Sequence, residues 1–115
     1  MNVNPEIKLD IFTVLADPTR RLILDALSEQ QKSVNELTKI VQINQSGVSR
    51  HLRILQKIGL VTYIKEKQNH VYTLQSEPLV ELDQWLEKYR KQWDLRFKKL
   101  EEHLKQQKGK NDVQR

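Results

Sequence analysis

Residues 44–59, NQSGVSRHLRILQKIG, contain a helix start, a helix stop and two unlike faces. Asn44 suits an N-cap, because its side-chain oxygen accepts a free backbone N–H. Gly59 suits the stop, because glycine takes a left-handed turn without strain. At about 100° per residue, Val48, Leu52 and Leu55 fall in one narrow sector. Ser46, Ser49, Arg50, Arg53 and Lys57 fall roughly opposite, and no acid joins them. An apolar stripe behind a bare basic face fits a helix that lies in a DNA groove. A solvated helix face would share the pattern, so the flanking elements must distinguish the two.

Before this helix, Ser33-Val34-Asn35-Glu36 forms a capping box, serine followed three positions later by glutamate. The short helix it opens turns Val34, Leu37 and Val41 inward. Gln42-Ile43-Asn44 then makes a tight connection, giving a helix-turn-helix. Gly47, in the first turn of the second helix, lets the two helices approach closely. After Gly59, LVTYIK (60–65) and HVYTL (70–74) are rich in β-branched and aromatic residues, and EKQN between them is short and polar. This is a β-hairpin with Lys65, Lys67 and Asn69 at its tip. A basic hairpin after a helix-turn-helix is a wing.

Further out, Ile7–Leu15 reads as a first helix with Ile7, Ile11 and Val14 on one stripe. Asp17-Pro18 starts a second, cap then proline at the first helical position. It runs to about Leu27 and turns Leu22, Ile23, Ala26 and Leu27 inward. Arg20 and Arg21 read as surface or ion-pair residues, and Ser28–Lys32 as a polar connector. Ser76 to about Gln107 reads as one long helix. Its apolar positions Leu79, Leu82, Leu86, Tyr89, Trp93, Phe97, Leu100 and Leu104 make a heptad-like seam. Such a seam calls for a partner, and a second copy of the chain is the economical one. The division expected is therefore 1–75 as a winged helix-turn-helix DNA-binding domain, 76–108 as a long dimerisation helix, and 109–115 as a flexible tail. The fold class is mainly α with a small β-hairpin. Ile7, Ile11, Leu82, Leu86, Tyr89, Trp93, Phe97 and Leu100 are the expected dimer-interface residues.

Charge supports the groove reading. The chain carries 20 basic and 15 acidic side chains in 115 residues. From Leu37 to Ser76 there are six bases and one acid, Glu66, so this window holds the whole net charge of +5. A polyanionic partner accounts for that placement. No apolar run is long enough to span a membrane, and the first residues do not read as a signal peptide, so a cytoplasmic location is expected. With no cysteine there is no thiolate ligand, and histidines at 51, 70 and 103 do not make a zinc site. No metal or other cofactor is expected, and no catalytic constellation is present, so the chain does not read as an enzyme. A winged module that binds only protein is the alternative, and the localised charge argues against it.

LADPTRRLIL (15–24), QSGVSRHLRILQKIGLV (45–61) and VYTL (71–74), in this order, resemble the ArsR/SmtB family of bacterial winged-helix repressors. The resemblance covers almost the whole chain. It implies a homodimer that represses transcription at an imperfect palindromic operator in double-stranded DNA, often under control of an effector. The chain departs from metal-sensing members: SVNELTKI carries no thiol where their metal motif falls. DQWLEKYRKQWDLRFKKLEEHL (83–104) is similar to a non-metal subgroup encoded beside START-like (SRPBCC) proteins, so an effector here is an unidentified small molecule or protein. The residues expected to bind DNA are Gln45, Ser46, Ser49, Arg50, Arg53, Lys57, Lys65, Lys67 and Asn69, with Arg50 the main base reader. His51 falls on the apolar edge and is expected to be half-buried, bonded to a neighbouring element.

Overall fold

The structure, a computed structural model, describes residues 9–113. In chain order it contains α1 (Ile11–Leu15), α2 (Pro18–Glu29), β1 (Lys32–Ser33), α3 (Val34–Val41), α4 (Gln45–Lys57), β2 (Val61–Glu66), β3 (Asn69–Leu74) and α5 (Leu79–Val113). Helices α3 and α4 form the helix-turn-helix, and β2–β3 form the wing. The chain divides into two compact units, Met1–Leu82 and Asp83–Arg115.

Local chemistry sets most boundaries in the first unit. Asp17 accepts from the backbone N–H groups of Thr19 and Arg20 at 2.8 and 3.1 Å, and Pro18 opens α2. The Ser33–Glu36 box is closed in both directions, at 2.9 and 3.2 Å. A second box, unread in the sequence, starts α1: Asp10 and Thr13 cap each other. Helix α1 therefore begins at Ile11, later than expected, and Ile7 lies outside the described residues. Ile11, expected at a dimer interface, is 3% exposed and packs into the core of its own domain.

That core is built from Val14, Ile23, Leu27, Leu37, Val48, Leu52, Leu55, Leu60 and Val61, with Tyr72 closing it from the sheet. Leu22, expected inward, is exposed, and Leu24 is buried instead. The buried arc of α2 is centred between Ile23 and Leu27, and Leu22 falls about 120° from that centre.

The hairpin is part of a three-stranded antiparallel sheet in the order β1-β3-β2. Lys32 and Ser33 pair with Tyr72 and Val71, so the last residue of the expected connector is a strand residue. Two residues, Lys67 and Gln68, join β2 to β3 between the paired Glu66 and Asn69. Lys67 has φ 57°, a left-handed conformation that suits the twist of a tight hairpin but disfavours a residue with a Cβ.

The second unit is helical. The helix continues through Gly109 to Val113, where a tail was expected from 109. One glycine costs a helix only about 1 kcal/mol, and the lysines and glutamines before it favour the helix. Asp83 and Glu87 both pair with Arg90, and Glu101 pairs with Lys105.

Candidate nucleic-acid interface

The geometry of α4 follows from its two ends and one stripe. At the start, the Gly47 N–H donates to Asn44 Oδ1 at 2.7 Å and the Ser46 hydroxyl donates to the same oxygen at 3.1 Å. A Cβ on Gly47 would lie 3.0 Å from that oxygen and 3.1 Å from Ile43 Cδ1. Glycine is thus required by the cap and the turn, and not by a close approach of α3 as expected. At the end, the Gly59 N–H donates to the Gln56 carbonyl at 3.0 Å and the Leu60 N–H to the Leu55 carbonyl at 2.9 Å. With Gly59 at φ 81° this is a Schellman stop. Between the ends, Val48, Leu52 and Leu55 are fully buried. They fix the rotation of the helix and so decide which residues face outward.

Gln45, Ser46, Arg50, Arg53 and Lys57 are exposed, and Ser49 is half-buried. Lys65, Lys67 and Asn69 are exposed on the wing. Among the described residues, ion pairs join Asp17 to Arg20 and otherwise lie on α5. The bases of α4 and of the wing pair with no acid among the described residues. Gln45 and Asn69, far apart in sequence, line one polar notch together with Ser33, Asn35, Gln68 and His70. Asn35 and Gln68 were not foreseen there, since only the folded sheet brings the start of α3 beside the hairpin tip.

Arg20 has a role that the sequence leaves unread. Its Nε donates to the Val14 carbonyl at 2.7 Å and its Nη2 to the Thr13 carbonyl at 3.3 Å, gripping the last turn of α1. Its Nη1 lies 3.3 Å from His51 Nδ1. A guanidinium only donates, so Nδ1 is the acceptor and the imidazole proton sits on Nε2. One side chain therefore ties α1, α2 and α4 together, and half-buried His51 supports the groove helix as expected. Burial raises the Asp17 carboxyl, but the N–H bonds from Arg20 and Thr19 and the Arg20 charge outweigh it and hold the group below the usual range. Among the described residues, no three His, Cys, Asp or Glu side chains cluster closely enough to hold a metal ion. No described helix is long and apolar enough to cross a membrane.

The profile of bacterial regulatory proteins of the arsR family matches residues 17–63, from the cap of α2 to the wing. The chain is 36% identical over 85 residues to the HTH-type transcriptional regulator YuzN of Bacillus subtilis, which covers 67% of this chain and 92% of YuzN. The crystal structure of an ArsR family transcriptional regulator superposes with TM-score 0.65 at 30% identity, over 73% of this chain and 92% of that one. The chain belongs to the ArsR family. It is similar as well to the SmtB homologue of Synechocystis, a transcriptional repressor, at 34% identity over 64% of this chain and 55% of the relative. ArsR proteins are DNA-binding transcriptional regulators, and in this member the outward face of α4 and the wing carry exposed bases.

Proposed function

We propose that the chain is a cytoplasmic homodimeric repressor that binds an imperfect palindromic operator. The observation that carries this reading is the set of unpaired bases on α4 and the wing, facing away from the core. In a two-fold dimer, two α4 helices roughly 34 Å apart enter successive major grooves. Arg50 reads a base edge, and Gln45, Ser46 and Ser49 bond neighbouring edges or phosphates. Arg53, Lys57, Lys65 and Lys67 hold the backbone, and Asn69 joins them at the wing. The division of labour is 1–75 for DNA, 76–108 for pairing. Leu86 and Tyr89 are half-exposed, and Trp93, Phe97 and Leu100 exposed, along α5. With Leu82 they form the seam that a second copy covers; Ile11 belongs to the core instead. The regulator falls in the non-metal subgroup found beside SRPBCC proteins, so its effector is a small molecule or a protein.

A mobility-shift titration with duplex from upstream of the gene, run at several salt concentrations, tests the DNA reading. Binding should prefer that duplex and weaken steeply with salt. Absence of any salt-sensitive shift would refute it. Light scattering at micromolar concentration tests the pairing, and a strict monomer would end that part.

A further inference from the structure

The wing carries an aromatic stack that its lysines do not explain. The register pairs Val61 with Leu74, Tyr63 with Tyr72 and Lys65 with His70. These side chains therefore share one face of the ribbon. Val61 and Tyr72 are buried in the core, so this face is turned toward the helices. Toward the tip it leaves the core, and Tyr63 is 42% exposed.

The Tyr63 ring is nevertheless held on two sides. Its centroid lies 5.3 Å from Tyr72 and 4.5 Å from His70, the latter edge-on. Its hydroxyl has no hydrogen-bond partner among the described residues. Arg53 of α4 shares the neighbourhood. Burial pushes the Tyr72 phenol up and Tyr63 adds to this, while the Arg53 guanidinium pulls it down. Arg53 is exposed and forms no ion pair among the described residues. Glu66, the acid of the hairpin, stands on the opposite face with its partner Asn69. A phenol donor with no protein partner among the described residues, on a ribbon face that carries Lys65 and no carboxylate, matches the acceptor-only oxygens of a phosphodiester. The cross-strand register supplies both ring contacts, so the ring is packed while its hydroxyl keeps no protein partner among the described residues. A ring packed between two others in the free protein loses less freedom on binding than an unsupported one.

We propose that Tyr63 contacts the DNA backbone, its hydroxyl donating to a phosphate oxygen on the wing face that it shares with Lys65. This deepens the DNA-binding reading and rests on it. The test is Tyr63→Phe in the full chain, which keeps the ring and its packing and removes the donor. Binding is measured over a salt series on two duplexes, one from upstream of the gene and one of unrelated sequence. Losing a hydrogen bond to a charged oxygen should weaken both by about tenfold. A neutral donor displaces no counterion, so the salt slope should not change, whereas Lys65→Ala in the same series should lower it by about one per site. Equal affinities of wild type and Tyr63→Phe would overturn the proposal and leave the DNA reading intact. A loss confined to the upstream duplex would overturn it too, because a backbone contact carries no base preference. So would a loss accompanied by a lower melting temperature, which would make Tyr63 structural. Failure of the wild type to bind either duplex would end both readings.

Discussion

Arg20→Met separates two roles for a basic residue in a DNA-binding domain. The guanidinium holds two carbonyls of α1, at 2.7 and 3.3 Å, and His51 of α4 at 3.3 Å. Methionine keeps the apolar stem and removes all three bonds. Hydrogen bonds to a charged donor contribute about 1.5–3 kcal/mol when short, and less near 3.3 Å. The Asp17 contact, at 3.9 Å and one-third exposed on the acid's side, adds at most about 1 kcal/mol. Replacement carbonyl bonds to water recover part of this, since Thr13 is only half-buried. The expected net loss is about 2–3 kcal/mol, or roughly 10–20 °C in melting temperature for a domain of this size. Urea denaturation followed by circular dichroism reads the first figure, and a thermal melt the second. DNA titrations over a salt series supply the contrast. A phosphate ligand would lower the salt slope by about one on removal and leave stability alone. If Arg20→Met gives that slope change with a stability loss below about 0.5 kcal/mol, the internal role assigned to Arg20 is refuted.

Three further outcomes are expected. Lys67→Gly relieves a left-handed Cβ-bearing residue and should stabilise the fold by about 0.5–1 kcal/mol, yet weaken DNA binding and its salt slope; parallel changes in both would contradict the roles given to this turn. Asp17 is held below the usual carboxyl range, so its contribution is complete above the unfolded value near pH 4 and is lost as pH falls through the depressed folded value. Melting temperature should therefore fall more steeply below about pH 4 in the wild type than in Asp17→Asn, and superimposable curves would dismiss the effect. Asn44→Asp keeps the cap and adds a charge that suits a helix start, so it should stabilise by about 0.3–1 kcal/mol while weakening binding to any duplex.

The features legible in the sequence are those made by neighbours in the chain. Asp17-Pro18, Ser33 with Glu36, and Asn44 each satisfy a backbone donor within three residues, so a local pattern carries the information. The stripe of Val48, Leu52 and Leu55 is equally local. What escaped depends on distant partners or on backbone strain. Lys32 becomes a strand residue only because Tyr72 lies beside it. Arg20 grips α1 and His51 across a distance that no spacing encodes. Gln42 ends α3 in a left-handed conformation at φ 59°, and its N–H donates to the Thr38 carbonyl at 2.9 Å. Glycine or asparagine would have announced that turn; glutamine does not. Among the proposed DNA contacts, side-chain type and helical angle placed the α4 residues outward. They could not show that Gln45 and Asn69 would line the same notch.

The starts of the five helices carry a contrast that bears on function. Asp10 caps α1, Asp17 caps α2, Glu36 lies in the first turn of α3 and Glu81 in that of α5. Helix α4 has neutral Asn44 at its cap and no acid in its first turn. An acid there would favour the helix by about 0.3–1 kcal/mol through the macrodipole, a gain that the other four helices take. It would also set a carboxylate on the proposed DNA surface, within a window in which Arg50, Arg53, Lys57, Lys65 and Lys67 form no ion pair among the described residues. Stability alone favours an acid at Asn44, and the surface around it disfavours one only if an anion comes to it. On the wing, Glu66 stands on the ribbon face opposite Tyr63 and Lys65, beside its cross-strand partner Asn69. A polyanionic partner accounts for the lack of an acid at the start of α4.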